Sequence, residues 1–588
     1  MNKLSDFKPL EHVVLPELGE VDCSGLILVV GPNSSGKTQL LRDLYHRIRG
    51  DDRDLVVAGD IKLRKPPMEP FLSCLEREGY VDRFSDNSGV KHIRPRTTYV
   101  GTGEAAPVTP ADAAQQMYQS YAHPNSTLAS QREWLGRFGR FVLTALFLDR
   151  RLIASNAVGL IDFETQPPQQ DLHALCMDDG AKQQLLEEIR NTFGKSVWPD
   201  ISRGNSLSIK VSNHPDKPTV DDRLSPLKMA GYRAIESEGD GLKSYVATCI
   251  AILLGRRPVC LIDEPEMCLH PPQAYNLGRF IGNFGSSSDV ATFVATHSSH
   301  VLRGVIATAQ KLQIVRLTRH GEAFEAHRVE PTALEDALKK PAVRAESVLD
   351  GIFSEAVVVI EADTDRTVYQ ATWETLQEKR HLDIHFSAVG GSGGIADTCH
   401  LYKTLKIPVA VIADLDVLVD GERLRQVLSR LVDEKTLKQL VDEATEVENQ
   451  IKLIPPTLSP DDVRDRLRAV LSSEMEWSQG HDAGVRKQIA EIANELDRMK
   501  RLKRGGIGSL PLQLRLKTEE LVKDLSRYGL FLVPVGELEN WLTPADVSVS
   551  KHSKWAWASA AAVYIRSARP RHDGVWEFVK GVSRFLSQ

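Results

Sequence analysis

The sequence predicts an α/β protein built as two successive units, and three observations carry that reading. The apolar run Leu26-Ile27-Leu28-Val29-Val30 opens into a glycine-bounded loop, Gly31-Pro32-Asn33-Ser34-Ser35-Gly36-Lys37-Thr38, followed by a helix-like stretch over residues 39–49. Three further apolar runs, at 258–262, 356–360 and 409–413, are each followed by acidic residues. Unbroken apolar runs of this length suit strands of parallel sheets covered on both faces, and ligands gather at the C-terminal ends of such strands. A chain of 588 residues also exceeds one ordinary core, so two or three domains are expected.

Composition narrows the class. With 42% apolar and 26% charged residues the chain reads as a soluble globular protein. A net charge of −6 argues against a wholesale polyanion binder and leaves local basic patches open. The seven cysteines (Cys23, Cys74, Cys176, Cys249, Cys260, Cys268, Cys399) form no CxxC pair and no zinc-spaced cluster, which fits reduced thiols in a cytosol. The N-terminal residues lack an apolar signal core, and the longest apolar stretch, near 246–254, is far short of a membrane span. The expectation is a cytoplasmic protein without a membrane partner.

Between the motifs, residues 50–130 are rich in Pro, Gly, Asp and Ser, and Lys65-Pro66-Pro67 and Gly101-Thr102-Gly103-Glu104 read as loop signals. Residues 131–160 read as helical and 161–180 as an exposed loop. Residues 420–505 alternate charge with apolar positions at helical spacing (Leu424, Val427, Leu428, Leu431, Val432), which predicts an inserted helical pair or bundle. No internal repeat or low-complexity tract is present.

The loop 31–38 fits G-x-x-x-x-G-K-[ST] in its strand–loop–helix setting. Gly31 and Gly36 permit the tight turn by which the amides of Asn33, Ser34 and Ser35 face an anionic phosphate at a helix N-terminus. Lys37 reaches the β and γ phosphates as a point charge, and the Thr38 hydroxyl is a Mg²⁺ ligand. About 225 residues further on, Cys260-Leu261-Ile262-Asp263-Glu264-Pro265-Glu266 ends an apolar strand in acids. There Asp263 would hold Mg²⁺ and Glu264 would orient or deprotonate the attacking water. The run Thr292-Phe293-Val294-Ala295-Thr296-His297-Ser298 ends in His297, suited to sensing a γ phosphate. Ahead of the acidic strand, Glu236-Ser237-Glu238-Gly239-Asp240-Gly241-Leu242-Lys243-Ser244 is a Ser/Gly turn opening an apolar helix.

This order of motifs resembles the ATP-binding-cassette class, and within it the SMC, Rad50 and RecF-like branch. The resemblance implies ATP with Mg²⁺, and a two-fold dimer in which Ser237 and Gly239 of one subunit close over the nucleotide of the other. Ser-Glu-Gly-Asp stands here where the class usually has Ser-Gly-Gly-Gln. Gln115, Gln116 and Gln119 are the candidates for the glutamine that usually follows the second strand.

In the second unit, Val357-Val358-Val359-Ile360-Glu361-Ala362-Asp363-Thr364-Asp365 places Glu361 at a strand end and Asp365 four residues on. About fifty residues later Ile412-Ala413-Asp414-Leu415-Asp416 ends another strand in two carboxylates, which alternation along an extended segment would aim the same way. Such carboxylates collect divalent metal on hard oxygens. A D-x-D alone is uninformative, as the solvated turn Asp52-Arg53-Asp54 illustrates. The set Glu361, Asp365, Asp414 and Asp416 resembles a TOPRIM module, with Ala362 where a glycine usually follows the glutamate.

An ATP-binding-cassette ATPase followed by TOPRIM resembles the overcoming-lysogenization-defect (OLD) nucleases, including Gabija-type and retron-associated relatives. On that resemblance residues 1–345 form the ATPase domain, with a helical or dimerisation insertion over roughly 130–230. Residues 346–588 form the TOPRIM domain, with a helical insertion over roughly 420–510. The implied activity is ATP-regulated DNA cleavage in anti-phage defence with two Mg²⁺ or Mn²⁺ ions. Glu361, Asp365, Asp414 and Asp416 would hold the first ion. Glu539, favoured over Glu537 in Val533-Pro534-Val535-Gly536-Glu537-Leu538-Glu539, would serve the second. Lys554 is the candidate for a lysine stabilising transition-state charge. Lys500-Arg501-Leu502-Lys503-Arg504, with Lys403 and Lys406, either contacts a phosphate backbone or simply closes a helix with basic residues. The implied partners are a second copy or a larger homo-oligomer, DNA, and a helicase-like protein or a reverse transcriptase with its RNA. Two alternatives stand beside this reading: cleavage of RNA such as tRNA, and an SMC-like sensor without nuclease activity.

Overall fold

The computed structural model describes the chain outside residues 1–3, 96–107, 167, 203, 214–230, 255–256, 287–289, 333, 335–338, 340–345, 377–381, 455–459, 473–485, 487, 491, 493–499, 552 and 588. The chain divides into two compact units, Met1–Glu335 and Asp336–Gln588.

The central sheet of the first unit contains β1 (Gly25–Val30), β2 (Leu143–Leu146), β3 (Val259–Asp263), β4 (Ala291–Ala295), β5 (Leu312–His320) and β6 (Ala323–Val329), in the spatial order β6-β5-β1-β4-β3-β2. Only the β5–β6 pair is antiparallel among these neighbours. β1, β3 and β4 are buried along their whole length, which is why each reads as an unbroken apolar run. The register pairs Ala295 with both Val29 and Asp263, so β1, β4 and β3 end level. The loops that leave them therefore share one edge of the sheet. Helices α1 (Lys37–Arg49), α2 (Asp240–Leu254), α3 (Pro271–Gly285) and α4 (Ser299–Ile306) follow β1, precede β3, and follow β3 and β4 respectively. α3 and α4 meet at glycines, since a Cβ on Gly304 would lie 2.2 Å from the Tyr275 carbonyl oxygen.

Three expectations for the connecting segments are overturned. Residues 50–130 are not a run of loops. They contribute the strand Asp60–Leu63 to a small antiparallel sheet with Leu10–Leu15 and Gly19–Asp22, the hairpin Val81–Ser85/Lys91–Pro95, and the helices Met68–Arg77 and Ala111–Ala122. Pro67, part of the Lys65-Pro66-Pro67 loop signal, is a helix start, and it and Pro110 immediately precede the two helices, where a missing amide costs nothing. Gly101 to Glu104 lie outside the described residues. Within 131–160, the helical reading holds for the helices Leu128–Phe138 and Leu148–Ile153, but β2 between them is a strand of the central sheet, and four residues carry too little periodicity to separate strand from helix. Within 161–180, the helix Asp171–Met177 buries Leu172, His173, Ala174 and Leu175.

The second unit is a four-stranded parallel sheet of β7 (Ala356–Ile360), β8 (Ile384–Ala388), β9 (Val409–Ala413) and β10 (Leu530–Leu532), ordered β8-β7-β9-β10. α5 (Asp363–Thr375) follows β7. Between β9 and β10 come α6 (Gly421–Leu428), the helices Glu434–Leu453 and Pro460–Ser472, and α7 (Lys500–Gly505), in keeping with the helical reading of 420–505. The terminal helices α8 (Lys554–Ser567) and α9 (Gly574–Leu586) cover the sheet through the buried Trp557 and Trp576.

Candidate functional site

In the first unit the loop between β1 and α1 surrounds an opening of about 340 Å³, lined also by Arg42, Val56, Glu264, Arg319 and Phe324. Gly31 and Gly36 have φ of 143° and 96°, and both are needed for close approach as well as for turning. A Cβ on Gly31 would sit 2.1 Å from the Leu317 carbonyl oxygen, and one on Gly36 2.8 Å from the Phe324 ring. Ser34 adopts φ of 61°, and the Ser35 hydroxyl is buried without a hydrogen bond. Lys37 Nζ donates to the Gly31 and Pro32 carbonyls, 2.8 Å each, and burial pulls its pKa down against the pull of Glu264, Glu266 and Asp263. Thr38 Oγ1 donates to Asp263 Oδ1 at 2.9 Å, joining two motifs that lie 225 residues apart. Burial raises the Asp263 carboxyl.

His297, at the end of β4, places Nδ1 3.3 Å from both Glu264 Oε1 and Glu266 Oε1. This contact lowers the Glu264 pKa and raises that of His297, so the pair favours a carboxylate beside an imidazolium. Glu264 has φ of 46°, a strained conformation held by its N–H bond of 2.8 Å to the Ala295 carbonyl. Ser237 and Gly239 are exposed just ahead of α2, Ser237 Oγ donating to the Ala234 carbonyl at 2.7 Å, and neither lines the opening around the phosphate loop.

Two residues with close contacts here escaped the motif reading. Glu266 is buried and accepts from Thr296 Oγ1 (2.8 Å) and the His297 amide (2.9 Å), so it shapes the turn that carries His297. Its signal was the third acid of Asp-Glu-Pro-Glu. Glu266→Ala would strand a buried hydroxyl and amide at about 1–3 kcal/mol each. It is expected to slow ATP hydrolysis at least about tenfold, with Glu266→Gln retaining most activity in a phosphate-release assay, because an amide oxygen still accepts.

Arg151, fully buried, donates Nε to Ser244 Oγ (2.7 Å), Nη2 to the Glu264 carbonyl (2.9 Å), and Nη1 to the Asp263 carbonyl. It follows β2, the strand beside β3. Gln115, Gln116 and Gln119 instead lie exposed on the helix Ala111–Ala122, which packs against Leu128–Phe138, so the glutamine expectation is not met at those positions.

In the second unit three adjacent strand ends deliver carboxylates. Glu361 follows β7, Asp365 sits in the first turn of α5, Asp414 and Asp416 follow β9, and Glu537 and Glu539 follow β10. The Leu415 amide bonds to the Gly536 carbonyl at 3.0 Å, locking the β9 and β10 ends together. Asp416 lies on a 3₁₀ turn, Leu415–Val419, rather than on an extended segment, so alternation is not what aligns it with Asp414. Both nonetheless reach Lys503 Nζ, at 3.1 Å from Asp414 Oδ2 and 3.4 Å from Asp416 Oδ2. Arg423 on α6 lies 2.8 Å from Glu361 Oε2 and 3.8 Å from Asp416 Oδ1. Lys554 is largely exposed, 3.8 Å from the buried Glu539. The basic residue in closest contact with the D-x-D acids is thus Lys503, drawn from the basic run, while Lys554 lies against Glu539.

Burial, then Asp414, Glu539 and Glu361 in turn, push the Asp365 carboxyl up to about 7. Burial likewise raises Asp414 and Glu537. Among the described residues no three His, Cys, Asp or Glu side chains are gathered closely enough to hold an ion as they stand. The chemistry of the donors still fits one: they are hard oxygens, they repel one another, and Asp416 Oδ1 is buried without a hydrogen bond.

Two family models match the chain, each over one segment. Residues 352–416 match the model of the overcoming lysogenization defect protein-like TOPRIM domain, and residues 199–303 match an AAA domain model whose description names an AbiEii toxin of a type IV toxin–antitoxin system. Protein ea59 of Escherichia phage lambda is 26% identical over 137 residues, which are 22% of this chain and 26% of that protein, so the chain spans about a quarter of its relative's length. Among solved structures, the Smc head bound to the C-winged helix domain of ScpA is similar at 13% identity and a TM-score of 0.30, over 56% of this chain and 99% of that one. The SMC head domain from Thermotoga maritima is similar at 15% identity and a TM-score of 0.27, over 55% and 99%. Carrying an AAA-type ATPase domain ahead of an OLD-like TOPRIM domain, the chain has the ATPase–TOPRIM arrangement of the overcoming-lysogenization-defect family.

Proposed function

We propose that the protein is an ATP-regulated, divalent-metal-dependent endonuclease that cuts DNA in anti-phage defence and works as a homodimer. The observation that carries this reading is the convergence of Glu361, Asp365, Asp414, Asp416 and Glu539 at three adjacent parallel strand ends. It occurs in a chain whose phosphate loop is bonded through Thr38 to Asp263.

In the ATPase unit Lys37 would exchange its two loop carbonyls for the β and γ phosphates, while Thr38 and Asp263 hold Mg²⁺. Glu264, kept ionised by His297, takes the proton of the attacking water. The exposed Ser237 and Gly239 are free to complete the site of a second copy. In the nuclease unit Glu361, Asp365, Asp414, Asp416 and Glu539 would hold Mg²⁺ or Mn²⁺. A bound divalent ion supplies an acidified water and charge neutralisation at the phosphodiester. Arg423 and Lys503 orient Glu361 and Asp416 and keep positive charge beside the reacting phosphate.

The test is nicking of supercoiled plasmid in Mg²⁺ or Mn²⁺, run beside a tRNA pool with and without ATP. Metal-dependent plasmid nicking that disappears in Asp414→Ala is the expected result. Nicking that survives this substitution would sink the assignment, and cleavage confined to tRNA would move the substrate to RNA.

A further inference from the structure

The carboxylates of the second unit are unequally balanced. Glu361 and Asp416 each lie against a fixed cation, Arg423 at 2.8 Å and Lys503 at 3.4 Å. Asp365 has no ion-pair partner among the described residues, and its nearest charged influences are three other acids. Asp414 stands between the two groups, touching Lys503 at 3.1 Å.

Lys503 is anchored by its backbone rather than reaching in from a loose surface chain. Its carbonyl accepts from Asn540 Nδ2 at 3.2 Å, and the same amide donates to the Arg504 and Val535 carbonyls. The Gly506 amide closes α7 on Leu502, and the Ile507 amide bonds to the Pro534 carbonyl at 2.9 Å. Gly536, with φ of 104°, leaves no room for a side chain: a Cβ there would meet the Lys503 carbonyl at 2.3 Å. Leu502 beside it is fully buried. The segment that follows β10 and bears Glu537 and Glu539 therefore also holds the end of α7, and an ammonium so fixed costs little further ordering when it acts.

Resting on the nuclease reading above, we infer that Lys503 is a resident cation of this centre. It stands between Asp414 and Asp416 where a second divalent ion would otherwise bind, so that the centre takes one such ion on the Asp365 side. A fixed ammonium in that place repels a second dication at short range, and it supplies the second positive charge to the phosphodiester oxygens. Lys503 is in this sense a positioning residue for the acids as well as a source of charge.

Mn²⁺ titration of the nucleotide-free full-length protein, followed by the electron paramagnetic resonance of free Mn²⁺, tests this. Without nucleotide the ATPase site lacks the phosphates that complete its ion's coordination. The wild type is expected to bind one Mn²⁺ per chain tightly, and Lys503→Met to bind a second or to tighten the first about tenfold as the repulsion is removed. Lys503→Arg should restore the wild-type count, which a merely structural lysine would not predict. Lys503→Gln serves the same purpose if the methionine variant does not fold. Two wild-type ions of similar affinity, or an unchanged count and affinity in Lys503→Met, would overturn the inference. Asp414→Asn separates the two levels: if Mn²⁺ binding survives it unaltered, the metal-site reading itself falls, whereas loss of binding there with no effect at Lys503 rejects only the role of the lysine.

Discussion

Asp365→Asn is expected to abolish phosphodiester cleavage and at the same time to make the metal-free protein more stable. Asp365 lies in the first turn of α5 with Asp414, Glu539 and Glu361 as its charged neighbours, and burial, followed by those like charges, drives its carboxyl up to about 7. A charge held in place against burial and like charges is a cost that folding bears for function. Asparagine keeps the shape and removes both the charge and a hard anionic ligand. Loss of ion-based stabilisation of the transition state should lower the rate by about 10³-fold or more, equivalent to roughly 4 kcal/mol. Relief of repulsion should gain on the order of 1 kcal/mol, or about 2–4 °C in melting temperature for a unit of this size. Plasmid nicking and thermal melts in chelator read the two effects separately. A variant that is inactive but also markedly less stable would mean that Asp365 is a structural carboxylate.

Lys37→Ala should remove nucleotide hydrolysis without unfolding the first unit. The ammonium is buried between loop carbonyls at 2.8 Å and is surrounded by Asp263, Glu264 and Glu266. Alanine leaves two carbonyls to solvent in a loop already open to it, a small structural loss, but it removes the loop's own point charge for the β and γ phosphates. Charge-assisted contacts of this kind contribute about 1.5–3 kcal/mol to binding, and a lost transition-state donor costs a further 10²–10³ in rate. ATP affinity is expected to fall at least about tenfold and turnover to below about 1%. If nucleotide gates the second unit, cleavage by Lys37→Ala should also stop responding to ATP. Unchanged turnover in this variant would refute the phosphate-loop reading.

Local pattern carried a good part of the architecture. The buried parallel strands were readable because a strand covered on both faces must be apolar throughout, and the acids at their ends were conspicuous against that background. The loop reading of 50–130 fails for a local reason too: a proline such as Pro67 or Pro110 breaks the chain in one context and begins a helix in another, and composition does not distinguish them. Four residues of β2 show no period at all.

What escaped the sequence were side chains whose meaning lies in distant partners. Arg151 binds Ser244 and the carbonyl of Asp263, 93 and 112 positions away, and Arg423 meets Glu361 across 62 positions. In sequence Lys503 is one of several basic residues at a helix end. The backbone of the 533–540 segment holds the end of α7 so that Lys503 touches Asp414 and Asp416.

The sequence by itself determined the two α/β units, the phosphate loop and the acidic strand ends, because each is set by short-range constraints: period, turn geometry and residue type. Only the tertiary structure decided which cations share space with those acids. An arginine or lysine has no periodic signature, and long flexible side chains acquire a role only where folding brings an unbalanced charge within a few ångströms.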